Sequence, residues 1–127
     1  MSVEDEVMAV LDAWMVGFND MDAEAWGATF QFPSYRLASA SLKSGQITVI
    51  EGLDTEKTKA SLQAGGWHHS KWSRRNIIHS SDTKVHVDTN FTRYREDGSV
   101  IGSYDSLYIL TKENGKWGVK MRSSYAG

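Results

Sequence analysis

The chain contains no cysteine. That absence excludes disulfides, thiolate metal sites and a cysteine nucleophile, and it accords with a reducing compartment. It also lacks any long apolar run. Its first residues, MSVEDEVMAV, carry acid where a signal peptide needs positive charge. The expectation is a cytoplasmic protein that engages no membrane. Charge of either sign is not in excess: 14 Lys and Arg face 16 Asp and Glu, a net charge of −2. No global basic field draws such a chain to nucleic acid. Repeats, low-complexity tracts and linkers are missing too. With 127 residues, one domain over 1–127 has room for a real core, and two do not. Aromatic residues, by contrast, are plentiful: five Trp, five Tyr and four Phe. That many rings in a small domain imply a deep core, a pocket, or both.

A helical third precedes a strand-rich remainder. Ser2, with Asp5 three residues on, forms a capping box. Val3, Val7, Val10, Leu11, Trp14 and Phe18 then recur at helical spacing, and Asn19 and Asp20 end the helix. Asp22 caps a second short helix carrying Trp26 and Phe30, stopped by Pro33. Short strands are expected around Tyr35 to Ala40 and Ile47 to Glu51. Asp54 caps a third, weakly amphipathic helix from Thr55 to Gln63, closed by Gly65 and Gly66.

From Trp67 onward the pattern predicts a meander of four long strands, separated by turns at Ser81-Asp82, Asp97-Gly98 and Asn114-Gly115. If each is a two-residue loop, the register is fixed and alternation assigns every side chain to a face. Trp72 then lies opposite Phe91, Phe91 opposite Tyr104, and Tyr104 opposite Tyr125. Ile78, Val85, Leu110 and Val119 form a parallel row; Val87, Tyr108 and Met121 form another. Arg75 falls across from Asp88 on a mixed second face, with Ile77, Leu107, Ile109, Ile101 and Tyr94. A single β-bulge would invert these faces downstream and would bring Arg122, Asp105, Asp88 and Arg75 into a cavity.

The stretch GWHHSKWSRRNIIH, Gly66 to His79, concentrates histidine, tryptophan and positive charge. Adjacent histidines in a strand point to opposite faces, so His68 and His69 cannot chelate one ion, and His79 lies roughly 30 Å further along. No metal is expected. Alternation also divides Lys71 and Arg75 from Arg74, which argues against a nucleic-acid grip. What remains is a pocket wall: an apolar face dotted with Asn76, Arg93 and His68, against a bland alternative in which these groups meet water at the sheet's open end.

Three helices followed by a curved sheet, with FNDMDAEAWGATF after the first helix and DGSVIGSYDSLYILTKENGKWGVKMRSS at the end, resemble the nuclear transport factor 2-like superfamily over nearly the whole chain. That α+β group includes ketosteroid isomerase, scytalone dehydratase, polyketide cyclases and a kinase association domain. The resemblance implies three N-terminal helices packed on the concave face of a strongly curved, mostly antiparallel sheet, a cone-shaped barrel. It also implies a pocket between sheet and helices and a homodimer through the convex face. The catalytic machinery does not transfer residue by residue. Ketosteroid isomerase-like chemistry needs a carboxylate base, and the aromatic face carries no Asp or Glu in the four long strands. A scytalone dehydratase-like His–Asp pair is equally missing from it.

Two readings of function stand together at this point. One is a cavity walled by Trp14, Phe18, Trp72, Phe91, Tyr104, Tyr108 and Tyr125, in which Arg93, Asn76 and His68 orient a polar or anionic group on a small apolar or aromatic ligand. If it catalyses, proton transfer is the chemistry, with His68 as base and Tyr104 or Arg93 as electrophile. No cofactor is expected. The other is a non-catalytic dimerisation module whose cavity is filled by its own rings.

Overall fold

The computed structural model describes residues 2–38 and 46–126. Helix α1 runs Val3–Asp20. Ser2 Oγ accepts from the Asp5 backbone N–H at 3.1 Å, and Met21 closes the helix in the left-handed region at φ 50°. The apolar stripe behaves as its spacing predicts, with Val7, Leu11, Trp14, Met15 and Phe18 buried.

Helix α2, Ala23–Gly27, is capped by Asp22, whose carboxylate accepts from the N–H groups of Glu24 and Ala25. It stops earlier than expected. Phe30 begins strand β1, Phe30–Ala38, and Pro33 lies inside that strand rather than ending a helix. The cause is long-range: the Val119 N–H donates to Thr29 O, starting a parallel pairing that competes with another helical turn. Gly118 makes the approach possible, because a Cβ there would sit 2.8 Å from the Phe30 carbonyl carbon. Pro33 falls where the β1 register shifts, between Phe30 and Tyr35, so its missing N–H costs the ladder little.

Strand β2 is Thr48–Ile50, and α3 spans Thr55–Ala64 with no buried residue. Of the strand expected over Tyr35 to Ala40, Ser39 and Ala40 lie outside the described residues. The long strands are β3 (His69–Ser80), β4 (Lys84–Tyr94), β5 (Val100–Glu113) and β6 (Lys116–Ser124). Sheet order is β2-β1-β6-β5-β4-β3. Only β1 and β6 run parallel among the described pairings. The sheet is open, with β2 and β3 as its edges, and does not close into the expected barrel.

The turns obey local chemistry unevenly. Asn114 (φ 54°) and Gly115 (φ 77°) make the two-residue hairpin, pairing Glu113 with Lys116. At Asp97-Gly98 only Gly98 has positive φ, and the Arg95 N–H donates to Ser99 O, so the loop gains Glu96. A register shift after Arg93 compensates, and Phe91 faces Tyr104 as the pattern predicts. The first turn centres one residue later, on Asp82-Thr83, because Ser81 pairs with Lys84 through its backbone N–H while its Oγ accepts from the Thr83 and Lys84 N–H groups.

Two shifts in β3, past Trp72 and past Ile77, absorb that offset. Trp72 still meets Phe91, but the side chains between are re-aimed. Ile78 faces outward, whereas Ile77 packs towards the core. Arg75 turns to α1, bonding Asp12 and Met8 O, and it is Arg74 that pairs with Asp88 and Asp105 on the outer face. In β6 the shift between Ile109 and Leu110 leaves Lys120 as the extra residue. Tyr108 therefore pairs with Arg122 and Ser106 with Ser124; Met121 points out and Tyr125 is 63% exposed. The expected Tyr104–Tyr125 and Tyr108–Met121 pairings do not form.

Valines 85, 87 and 119 with Leu110 are fully buried under α1. Edge strand β3 is tied to that helix by side chains. Asn19 donates its Nδ2 to Ser70 O and accepts from the Ser70 N–H, both at 2.8 Å, as a neighbouring strand would. Trp72 Nε1 donates to Leu11 O at 2.9 Å.

Candidate functional site

A cavity of about 410 Å³ opens between the sheet's inner face, α1 and the segment carrying α3. Trp14, Met15, Phe18 and Trp26 form one wall; Leu53, Thr58, Ser61 and Leu62 form the side near α3. Trp14 stacks on Phe18 at 5.1 Å and meets Trp26 and Tyr108 edge-on at 5.6 Å. This interlocked ring set is a firm wall and leaves the adjoining space open.

The sheet side is charged. Arg36 on β1 is in register with Arg122 on β6, and Arg122 is paired in turn with Tyr108 on β5. Arg93 joins from β4, and all four line the cavity. The Nε atoms of Arg36, Arg93 and Arg122 are buried and have no hydrogen-bond partner among the described residues. Rings offset part of the charge: Arg122 lies 5.3 Å from the Phe30 centroid and 5.7 Å from that of Trp14, and Arg93 lies 5.0 Å from that of Tyr104 and 5.6 Å from that of Phe91. Burial pushes the Arg36 guanidinium below its ordinary pKa, and the charge of Arg122 pushes it further. Burial lowers Arg93 as well. The Tyr108 phenol is raised by its own burial, with the three arginines pulling the other way. Among the described lining residues Asp54 alone is a carboxylate, and its Oδ1 caps α3 by accepting from the Lys57 N–H at 3.0 Å. None of the described lining residues is a histidine.

Of the residues singled out from sequence, Trp14, Phe18, Phe91, Arg93 and Tyr108 come together here. Trp72 and Tyr104 stand behind them: Trp72 packs on Trp14 and Tyr108, and Tyr104 lies against Phe91 and Arg93. Three placements need correction. Asn76 is exposed on the outer face because the irregularity at Ser73 reverses its direction. Tyr125 is carried out by the bulge at Lys120. His68 precedes β3, is exposed, and sits with its Nδ1 3.0 Å from that of His69, so it cannot serve as base to a group in the cavity. Arg36 is new, although alternation along PSYRLA predicts it once Tyr35 is placed outside. Arg122 enters because a bulge occurs, but Asp88, Asp105 and Arg75 do not accompany it.

Among the described residues no group of three or more His, Asp or Glu is arranged to hold a metal ion, and no helix is long and apolar enough to cross a membrane.

The fold is shared widely. An NTF2-like protein from Cytophaga hutchinsonii superposes with a TM-score of 0.71 at 16% identity, covering 100% of both chains. An NTF2-like protein from Pseudomonas putida gives 0.75 at 12% identity, covering 100% of this chain and 89% of that one. A ketosteroid isomerase-like protein from Erwinia carotovora gives 0.67 at 17% identity, covering 98% and 97%. These likenesses concern the fold. No protein of curated function matches. Residues 5–121 match the family described as NTF2-like protein (DUF6841), and the chain belongs to that nuclear transport factor 2-like family.

Proposed function

We propose that the protein binds a small organic anion, with its acidic group held by Arg36, Arg93 and Arg122 and its apolar or aromatic body against Phe18, Met15 and Trp26. The observation that carries this reading is the set of three buried Nε–H groups without acceptors. A buried donor left unmade costs about 1–3 kcal/mol, and more when charged, and a carboxylate or phosphate oxygen removes that cost through charge-assisted bonds. The volume lies in the range of small-molecule pockets, and an open cavity of about 410 Å³ speaks against one filled by its own rings.

Binding is favoured over isomerase, dehydratase or cyclase chemistry. The arginines and Tyr108 are suited to stabilise negative charge, but the described wall offers no proton acceptor except Asp54, which is already engaged as a helix cap. The test is a titration of the protein with benzoate, 1-naphthoate and their neutral amides. The acids should raise the melting temperature with the logarithm of their concentration above Kd, by an amount equivalent to about 2.7 kcal/mol at a hundredfold excess over Kd; the amides should not. Equal responses to acid and amide, or none to either, would overturn the reading.

A specific feature supports self-association as well. Tyr35, Leu37, Val49, Leu107, Ile109 and Met121 adjoin on the outer face of β2, β1, β6 and β5, and Leu37, Val49 and Met121 are exposed. A second copy of the chain would cover this apolar patch across a two-fold axis. Sedimentation should show a dimer that Met121→Glu dissociates. Monomer at high micromolar concentration would reject it.

A further inference from the structure

We infer that the ligand's acidic group is a compact dianion, a phosphate monoester or a vicinal dicarboxylate, and not a single carboxylate. This rests on the anion-binding reading above and adds a charge and an oxygen count to it. Ionisable side chains along the cavity are Arg36, Arg93, Arg122, Lys57, Asp54 and Tyr108. Asp54 is the N-cap of α3 and Lys57 lies in its first turn, so that their opposite charges sit at the same helix end and offset each other. The interior then holds three guanidiniums and no carboxylate among the described residues. Arg36 and Arg122 stand in register on adjoining strands, whose backbones are about 4.8 Å apart, and their mutual repulsion is part of what depresses Arg36. A monoanion would leave two of the three charges unmatched; a dianion leaves one.

Acceptor number agrees with charge. Three Nε–H donors on three different strands lack partners, and each guanidinium also brings terminal N–H groups. A monocarboxylate supplies two oxygens. The terminal oxygens of a phosphate monoester number three, and a dicarboxylate supplies four. The three-strand arrangement therefore suits a head that presents oxygens in more than one plane. Tyr108, held neutral by burial, adds a hydroxyl donor at the centre of the row.

The test compares pairs with the same body and different charge, measured by calorimetry at pH 7.5, where a phosphate monoester is largely doubly ionised: phenyl phosphate against methyl phenyl phosphate, and phthalate against monomethyl phthalate, with benzoate as reference. In at least one pair the dianion should bind tenfold or more tightly than its monoanionic ester, and whichever pair does so identifies the head as phosphate or dicarboxylate. Arg36→Met, whose folding is verified by its melting transition, should narrow that gap. A gap below tenfold in both pairs overturns the dianion while leaving the anion site standing. Failure of both dianions with benzoate still bound does the same. No binding by any probe, benzoate included, overturns the anion site itself.

Discussion

Arg36→Met should raise the melting temperature of the unliganded protein and at the same time weaken its binding of organic anions. Two opposing effects are expected because, in the proposed reading, the buried Arg36 Nε–H is matched by an anion and not by a group of the protein. Its Nε is buried without an acceptor, and its pKa is driven down first by burial and then by Arg122. A base whose folded-state pKa is lowered destabilises the fold in its protonated form, and arginine is protonated throughout the working pH range. Methionine keeps much of the apolar stem and removes the charge. The gain should be about 1–2 kcal/mol, the size common when a functional strain is relieved, or roughly 4–8 °C for a chain of this length. Loss of one charge-assisted contact should weaken benzoate binding about 10- to 100-fold. Thermal melting without ligand and calorimetry with it check both halves. A fall in melting temperature would mean that Arg36 stabilises the fold, and the reasoning from unmatched charge would fail.

The second large effect concerns the wall opposite. Gly17→Ala should cost about 3 kcal/mol, at the upper end for overpacking, and lower the melting temperature by roughly 10 °C. A Cβ at Gly17 would lie 2.7 Å from both Cα and N of Trp26, and backbone atoms cannot swing aside as a flexible side chain would. Within a helix, alanine is favoured over glycine by about 1 kcal/mol, so propensity alone predicts the opposite sign. Denaturant unfolding decides between them. Because Trp26 lines the cavity, the relaxed variant should also bind benzoate less well; unchanged stability would contradict the close crossing of α1 and α2.

Much of this arrangement could be read from local chemistry. Helical spacing in α1 gave the buried stripe, Asn114-Gly115 gave its hairpin, and alternation placed Trp72, Phe91 and Tyr104 side by side. The reversed side chains share one cause. A bulge adds a residue to one strand only, and the residues involved here, Ser73, Ile78 and Lys120, carry no side-chain signature that sets them apart from ordinary strand positions. Each reverses the side chains downstream of it, so Asn76 and Tyr125 leave the inner face and Arg122 enters it. Arg36 was hidden differently. Its partner strand β6 lies some 86 positions away in sequence, near Arg122, and nothing in either segment announces a parallel pairing. The same pairing ends α2 before Phe30. The arginine cluster is thus made of residues whose neighbourhood exists only in the folded sheet, whereas the aromatic wall beside it was legible in advance.

The benzoate titration, monitored through the arginine Nε–H resonances in ¹H–¹⁵N spectra, bears most directly on that site. At saturation the signals of Arg36, Arg93 and Arg122 should move together, while Arg74, whose Nε already donates to Asp88 at 3.0 Å, stays in place. Cluster signals that remain still while the protein is stabilised by ligand would put the anion elsewhere and contradict the proposed role of the three arginines.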